Sequence, residues 1–255
     1  MTNNVRPKKH LGQHFLKDES IARKITQSIP ENFNGNILEI GPGTGVLTKY
    51  LLDKSNFKVI EVDKESVEYL LKKYPNFEPN IIAGDFLQID LRPLLNTKTC
   101  IIGNFPYNIS SQIFFKVLEN IDTVDVVVCM LQKEVAERLA ASPRNKEYGI
   151  LSVLLQTFYT IEYLFTVPPT VFIPPPKVNS GVIRLTRNNR QQLPCDFQLY
   201  KTVIKTAFNQ RRKTMRNALK PLLTPDFSAE KYLNQRAEEL TVEQFIELAC
   251  AFKKP

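Results

Sequence analysis

The chain carries short runs of apolar and β-branched residues, separated by polar and turn-forming residues. Runs of this kind predict buried strands, and they lie at residues 36–40, 58–62, 80–83, 99–102 and 124–131. Apolar residues at helical spacing alternate with these runs, at residues 44–54, 64–73, 110–120 and 132–141. This order predicts an α/β fold, with a parallel sheet and helices on both of its faces.

Further elements precede and follow this pattern. Asp18 is placed to cap a short amphipathic helix at its N-terminus. Residues 159–167 and 178–186 predict two more strands that complete the sheet. Residues 187–195 are polar and turn-rich, which indicates a linker, and the remainder has the apolar spacing of helices. The predicted domains are residues 1–190 and a small helical domain of residues 191–255.

The composition limits the class of protein. With 255 residues, of which 43% are hydrophobic and 24% charged, the chain can bury a large core, so disorder is excluded as its main state. Residues 1–17 are polar and basic, and no window has the roughly 18 apolar residues of a membrane span. We therefore expect a cytosolic protein.

Neither a metal centre nor a disulfide framework is expected. The four cysteines are scattered, without a C-x-x-C pair, and the two histidines, His10 and His14, lie together near the N-terminus. We interpret the cysteines as small buried hydrophobic residues.

The net charge of +8 suggests a polyanionic partner, and its distribution strengthens this interpretation. No acidic residue occurs between Phe197 and Leu222, whereas seven basic residues fall there. They are Lys201, Lys205, Arg211, Arg212, Lys213, Arg216 and Lys220. A local basic surface is predicted, although a charge run is more often a solvated helix face.

A glycine turn follows the first strand of the sheet. Gly41, Gly43 and Gly45 form a G-x-G-x-G pattern, where glycine lets the backbone approach a nucleotide-like ligand closely. The G-x-G-x-x-G spacing that seats a pyrophosphate is absent, and Glu39 precedes the turn. This spacing favours S-adenosylmethionine over a nicotinamide dinucleotide.

Two acidic residues end the next strands. Glu61 lies where an acid of this fold accepts hydrogen bonds from ribose hydroxyls. Asp85, in Gly84-Asp85-Phe86, can reach an adenine amine. Each alone is more often a solvated loop carboxylate, but their order after the glycine turn indicates a cofactor site.

Asn104-Phe105-Pro106-Tyr107 follows the fourth strand and fits the methylation of an exocyclic amine. The N6 lone pair of adenine is delocalised into the ring until its hydrogens are held by acceptors. The Asn104 side-chain carbonyl and the backbone carbonyl of either Phe105 or Pro106 can accept them, while Pro106 stiffens the turn and Tyr107 stacks on the base. No strong base is needed, because methyl transfer leaves a cationic amine that loses its proton readily; positioning and electrostatics carry most of the rate.

A flipped base gains from a second aromatic ring on its other face. Phe172 is the candidate, because prolines flank it on both sides. Its alternative interpretation is a phenylalanine of the core.

Taken together, these residues resemble the ribosomal RNA adenine N6,N6-dimethyltransferase family, of the bacterial small-subunit type. The resemblance covers nearly the whole chain, and its most specific segments are residues 174–178 and 208–213. It implies a Rossmann-like methyltransferase domain and a helical C-terminal domain. It also implies two methyl transfers from S-adenosylmethionine to each of two adjacent adenosines near the 3′ end of 16S ribosomal RNA, on the 30S particle.

By position, the resemblance assigns cofactor contacts to His14, Leu16, Gly41, Glu61, Asp85 and Asn104, beside Gly43 of the glycine turn. His14 stands where the family usually has asparagine, which would make that contact pH-dependent near neutrality. RNA contacts are expected from Lys8, Lys9, Arg211, Arg212, Lys213 and Arg216. We expect a monomer.

Three alternatives remain. A large-subunit adenine dimethyltransferase that confers macrolide resistance shares the fold, but residues 174–178 and 208–213 argue against it. A non-catalytic assembly factor would use the same surface, yet the tetrapeptide at Asn104 is intact. A nicotinamide oxidoreductase is disfavoured by the glycine spacing.

Overall fold

The computed structural model describes residues 5–94, 97–224 and 227–252. These residues divide into two compact units, one of residues 1–136 and 161–187 and one of residues 137–160 and 188–255. The second unit therefore combines the C-terminal segment with residues 137–160, which were predicted to lie in the first domain.

The first unit is built on a seven-stranded sheet. Its strands are β2 (Asn36–Ile40), β3 (Phe57–Glu61), β4 (Ile81–Ala83), β5 (Thr99–Asn104), β6 (Val124–Gln132), β7 (Tyr159–Val167) and β9 (Ser180–Arg187). The order across the sheet is β4-β3-β2-β5-β6-β9-β7. The strands from β4 to β6 pair in parallel, whereas β9 runs antiparallel to β6. The α/β prediction is confirmed.

Helices precede, connect and follow the parallel strands. They are α1 (Glu19–Thr26), α2 (Lys64–Lys73), α3 (Ser110–Glu119) and α4 (Lys133–Ala140). The Asp18 carboxylate accepts from the backbone N–H groups of Ser20 and Ile21, as predicted for an N-cap. Side chains of β2, β5 and β6 are buried almost completely, because helices cover a parallel sheet on both faces.

A second sheet has only two short strands. β1 (Phe15–Leu16) pairs antiparallel with β8 (Phe172–Ile173), which joins the N-terminal segment to the proline-rich loop. The sequence pattern did not predict this pair, because two-residue strands carry no periodicity and their partners lie more than 150 positions apart.

The glycine turn differs from its prediction. Residues 44–54 form turns and a single 3-10 turn at Thr48–Tyr50, not the predicted α-helix. Gly45 has φ +75°, a left-handed conformation that a right-handed helix cannot contain. The Thr48 hydroxyl donates to an oxygen of the Glu39 carboxyl group at 2.7 Å, which fixes the turn on the strand end.

The second unit is helical. Its helices are α5 (Ile150–Phe158), α6 (Phe197–Asn209), α7 (Met215–Ala218) and α8 (Val242–Cys250). The apolar residues at helical spacing between Phe197 and Leu222 are buried: Val203, Ile204, Ala207, Phe208, Met215 and Leu219. Helix α6 ends at Asn209, and a separate short helix, α7, begins at Met215. No helix in the described ranges is long and apolar enough to cross a membrane.

Candidate active site

The predicted cofactor residues meet at the carboxyl ends of the parallel strands. β2 lies between β3 and β5, and the chain continues outward from β2 to β4 before it returns to β5. The crevice at such a switch point is where ligands bind in open α/β sheets. A cavity there is lined by residues from the glycine turn and from the ends of β3, β4 and β5.

The glycine turn opens toward this cavity. Gly41 and Gly43 have φ +65° and +55°. A side chain on Gly43 would meet the Phe15 ring at 2.8 Å, whereas space above Gly41 is open to a distance of 4 Å. Gly41 thus lets a ligand approach the backbone, and Gly43 lets the N-terminal segment pack against the turn.

Glu61 is buried at the end of β3. Its two carboxylate oxygens accept the backbone N–H groups of Gly43 and Asp63, each at 2.9 Å. Burial raises the pKa of Glu61, and these two hydrogen bonds oppose the rise. Because a carboxylate oxygen accepts more than one hydrogen bond, both remain available to ribose hydroxyls.

Asp85 and Val62 complete the wall. Asp85 lies just beyond β4 in the cavity lining, and its Oδ1 accepts from Leu87 N–H at 2.9 Å. Val62 also lines the cavity and is 50% exposed, which provides an apolar surface for a nucleobase. The open space at Gly41, the carboxylates at the ends of β3 and β4, and the apolar surface of Val62 fit the adenosine part of S-adenosylmethionine.

The N-terminal segment is bound beside this cavity to Asp63, the residue that caps α2. Lys8 forms an ion pair with Asp63, and the Gln13 side chain reaches the same carboxylate at 3.4 Å. Burial raises the pKa of Asp63, but the hydrogen bonds, first from Lys8, bring it below its usual value. The predicted RNA contact of Lys8 is therefore not supported, since its ammonium group already has Asp63 and Glu65 as partners.

His14 follows in this segment, in the lining of the cavity. Its ring Nδ1 lies 2.7 Å from the Pro174 carbonyl oxygen, which can only accept, so Nδ1 carries a proton. Its own backbone carbonyl accepts from Asn104 Nδ2 at 2.8 Å. Leu16 is buried in β1, with its backbone paired to Phe172.

Asn104 ends β5, and the hydrogen bond from its Nδ2 to the His14 carbonyl orients its side-chain amide. Because Nδ2 donates to the His14 carbonyl, Oδ1 is the amide atom left to accept from a substrate. The Pro106 carbonyl accepts from Ile109 N–H at 3.2 Å within a turn, so the Phe105 carbonyl is the less engaged of the two candidates. The Phe105 ring itself is buried against Phe114.

Tyr107 stands beside Asn104 with its ring held on two sides. The ring stacks on His14, with centroids 5.7 Å apart, and the hydroxyl lies 2.6 Å from the Ser180 hydroxyl. Ser180 is fully buried at the start of β9. Ser180 was not predicted from the sequence, because a single serine at a strand end has no recognisable pattern.

Phe172 corrects a prediction. Its side chain is 2% exposed and belongs to the core cluster that also contains Leu16, so it is not presented as a second ring for the base. The neighbouring Ile173 is 53% exposed, because alternate residues of an extended strand point to opposite sides. Burial favours the core interpretation that the sequence had left open.

The predicted basic surface lies in the second unit and is only partly free. Arg212, Lys213 and Arg216 are exposed, and their side chains contact no acid in the described part of the chain. Arg211, in contrast, binds the Glu238 carboxylate at 2.7 Å and the Asn145 carbonyl at 3.3 Å. Lys9, in the first unit, is exposed.

The cysteines also differ from their prediction. Cys100 and Cys129 are buried as expected, whereas Cys195 is half-buried and Cys250 is exposed. Within residues 5–94, 97–224 and 227–252, no three histidine, cysteine or acidic side chains are grouped as metal ligands.

The fold and the cavity define a Rossmann-like, S-adenosylmethionine-dependent methyltransferase. The family model of ribosomal RNA adenine dimethylase matches residues 4–254. The chain belongs to this family, and its reaction is the dimethylation of adenine in ribosomal RNA, with S-adenosyl-L-methionine as the methyl donor.

Curated relatives support the family, and solved structures share the fold. "Ribosomal RNA small subunit methyltransferase A" of Parabacteroides distasonis is 55% identical over 98% of this chain and 95% of its own length. The protein of that name from Flavobacterium johnsoniae is 56% identical over 96% and 95%. A dimethyladenosine transferase from Plasmodium falciparum has the same fold, with a TM-score of 0.78 and 23% identity over 92% of this chain and 96% of its own. The 23S rRNA methyltransferase ErmE has a TM-score of 0.70 to this chain and 24% identity, over 93% of this chain and 99% of its own.

Proposed function

We propose that this protein dimethylates two adjacent adenosines near the 3′ end of 16S ribosomal RNA in the 30S particle, in the cytoplasm, as a step of small-subunit biogenesis. The names of relatives above 50% identity support the small subunit as its target. The fold alone does not, since ErmE shares it. We propose that the enzyme acts as a monomer.

The observation that carries the catalytic proposal is the orientation of Asn104. Its Nδ2 is held by the His14 carbonyl, so in the first transfer Oδ1 and the neighbouring Phe105 carbonyl can each accept one N6 hydrogen, and in the second transfer one of them accepts the hydrogen that remains. S-adenosylmethionine supplies an electrophilic methyl group when it is bound. The two acceptors localise the N6 lone pair toward it, Pro106 holds their spacing and Tyr107 stacks on the base.

The cofactor is held by the residues at the strand ends. Gly41 admits it to the backbone, Glu61 accepts from the ribose hydroxyls and Asp85 from the adenine amine. His14, Leu16 and Gly43 shape the wall toward the methionine portion. Residues 1–190 form the methyltransferase domain in this proposal.

Residues 191–255 form the RNA-binding domain. Arg212, Lys213 and Arg216 are exposed there and suit phosphate contacts, with Lys9 as a further basic contact from the N-terminal segment. Arg211 supports this surface by fixing the loop at Asn145 to the Glu238 carboxylate.

The test is transfer of labelled methyl groups to under-methylated 30S subunits, 50S subunits and protein-free ribosomal RNA, with products mapped by nuclease digestion and mass spectrometry. Dimethyladenosine confined to the 3′ region of 16S RNA is expected. Asn104→Ala should abolish transfer and leave 30S binding intact, while Asn189→Ala, at an exposed asparagine, should leave both intact. Label in 50S subunits would contradict the proposal, and 30S binding without transfer would favour an assembly factor.

A further inference from the structure

Lys116 on α3 directs its ammonium group at the backbone of another loop. Nζ donates to the Phe86 carbonyl at 2.6 Å and to the Ile89 carbonyl at 2.5 Å. It also lies 5.3 Å from the centroid of the Phe86 ring. No carboxylate lies within ion-pair distance of this ammonium group among the described residues.

This arrangement is costly for a lysine. Burial lowers the pKa of Lys116, and the charges of Glu119, Asp85 and Asp90 oppose that change. A lysine on a helix surface normally extends into water, where its charge is solvated. Here two carbonyls replace part of that water, so the ammonium group is bound to the loop and does not merely lie near it.

The loop in question carries Asp85. At its start, Gly84 N–H donates to the Glu61 carbonyl at 2.8 Å, which continues the β3–β4 ladder. Inside it, the N–H groups of Leu87 and Ile89 donate to the side chain and the carbonyl of Asp85. The far end is tied to α3 by Lys116.

These contacts leave one Asp85 oxygen for a ligand. Oδ1 accepts from Leu87 at 2.9 Å, and Oδ2 has no hydrogen bond within the described chain. Asp85 lines the cavity directly beside Phe86, whose carbonyl is one of the two that Lys116 holds. A shift of this carbonyl would therefore move the carboxylate.

We infer that Lys116 is a positioning residue for the cofactor, which holds residues 84–89 so that the Asp85 carboxylate accepts a hydrogen bond from the adenine amine. The inference rests on the proposed role of Asp85. Lys116 does not line the cofactor cavity, and its effect is transmitted through the two backbone carbonyls.

The test measures discrimination between two bases, not activity. Binding of S-adenosylhomocysteine and of its deaminated form, S-inosylhomocysteine, is compared by calorimetry, because the deaminated base has an oxygen in place of the amine. The wild type should bind the adenosyl compound at least about tenfold more tightly than the inosyl compound, as expected for a hydrogen bond to a charged group. Lys116→Met should bind it about tenfold more weakly and bind the inosyl compound within twofold of the wild type.

Lys98→Met is the matched control, because Lys98 lies in the same unit and forms an exposed ion pair with Asp125 at 3.3 Å. It should keep the wild-type preference. A folded Lys116→Met variant with that preference would overturn the inference. If circular dichroism shows that this variant is unfolded, Lys116→Leu, which also lacks a donor, takes its place under the same criterion.

The wild-type measurements separate failure of the inference from failure of the proposed function. A wild type that binds neither compound would contradict the cofactor site itself. Equal binding of both compounds by the wild type would remove the role of Asp85, and with it that of Lys116.

Discussion

Replacing Phe172 by alanine should destabilise the fold before it affects the chemistry. The Phe172 ring is 2% exposed within the core. A buried phenylalanine removes roughly 150–250 Å² from water, worth about 4–6 kcal/mol as an upper bound. Alanine substitutions of core phenylalanines cost about 3–5 kcal/mol, so we expect the melting temperature to fall by roughly 6–20 °C.

Two matched variants separate packing from base stacking. Phe172→Leu keeps most of the side-chain volume and should cost about 1 kcal/mol of stability. It should retain methyl transfer, because leucine fills the core as Phe172 does, although it does not stack on a base. Ile173→Ala, at the 53%-exposed neighbour on the same strand, should leave the melting temperature nearly unchanged.

The assay is thermal unfolding followed by circular dichroism, with kcat for 30S methylation measured below the melting transition of each variant. A Phe172→Leu variant that is stable but more than tenfold slower would refute the packing argument. It would return Phe172 to the role of a ring on the target base, which would require the proline-rich loop to rearrange.

Three further changes test the site and its surroundings. Ser180→Ala removes the partner of the Tyr107 hydroxyl and should lower kcat/KM by up to about tenfold. In a double-mutant cycle, Tyr107→Phe should lower kcat/KM little further when it is combined with Ser180→Ala. Burial raises the pKa of Glu39 to about 8, although Thr48 opposes the rise. Between about pH 5 and 8 the Glu39 carboxyl group is therefore ionised in the unfolded chain and protonated in the folded one, so the free energy of unfolding falls as pH rises. The melting temperature of Glu39→Gln should rise relative to that of the wild type as pH increases across this window. Arg212→Ala should weaken 30S binding and reduce the slope of log Kd against log salt by about 1. Arg211→Ala should lower the melting temperature and leave that slope unchanged. Equal slopes for Arg212→Ala and the wild type would exclude a phosphate contact of Arg212.

Much of the fold was predictable because its signals are local. Residues 64–73 and 159–167 were predicted with the bounds that the structure shows, since each is a continuous stretch with one periodicity. The prediction of a helix over residues 44–54 was wrong at Gly45, which has a left-handed backbone with φ +75° and where an added side chain would meet Leu70 and Tyr74. Apolar spacing alone does not report a backbone angle.

The sequence by itself determined which chemical groups stand at the strand ends. A parallel sheet brings the carboxyl ends of its strands to one edge, so Gly41, Glu61, Asp85 and Asn104 had to meet once the order of elements was known. That reasoning needs no side-chain geometry, which is why the cofactor cavity could be anticipated.

Only the tertiary structure decided how individual side chains are used. Lys8 and Arg211 bind acids that are 55 and 27 positions away, Phe172 turns into the core through its pairing with β1, and Lys116 holds the loop of Asp85. A charge or an aromatic ring has the same sequence signature whether it faces water, RNA or the interior. Its partner is chosen by contacts between distant segments, and these exist only in the folded chain.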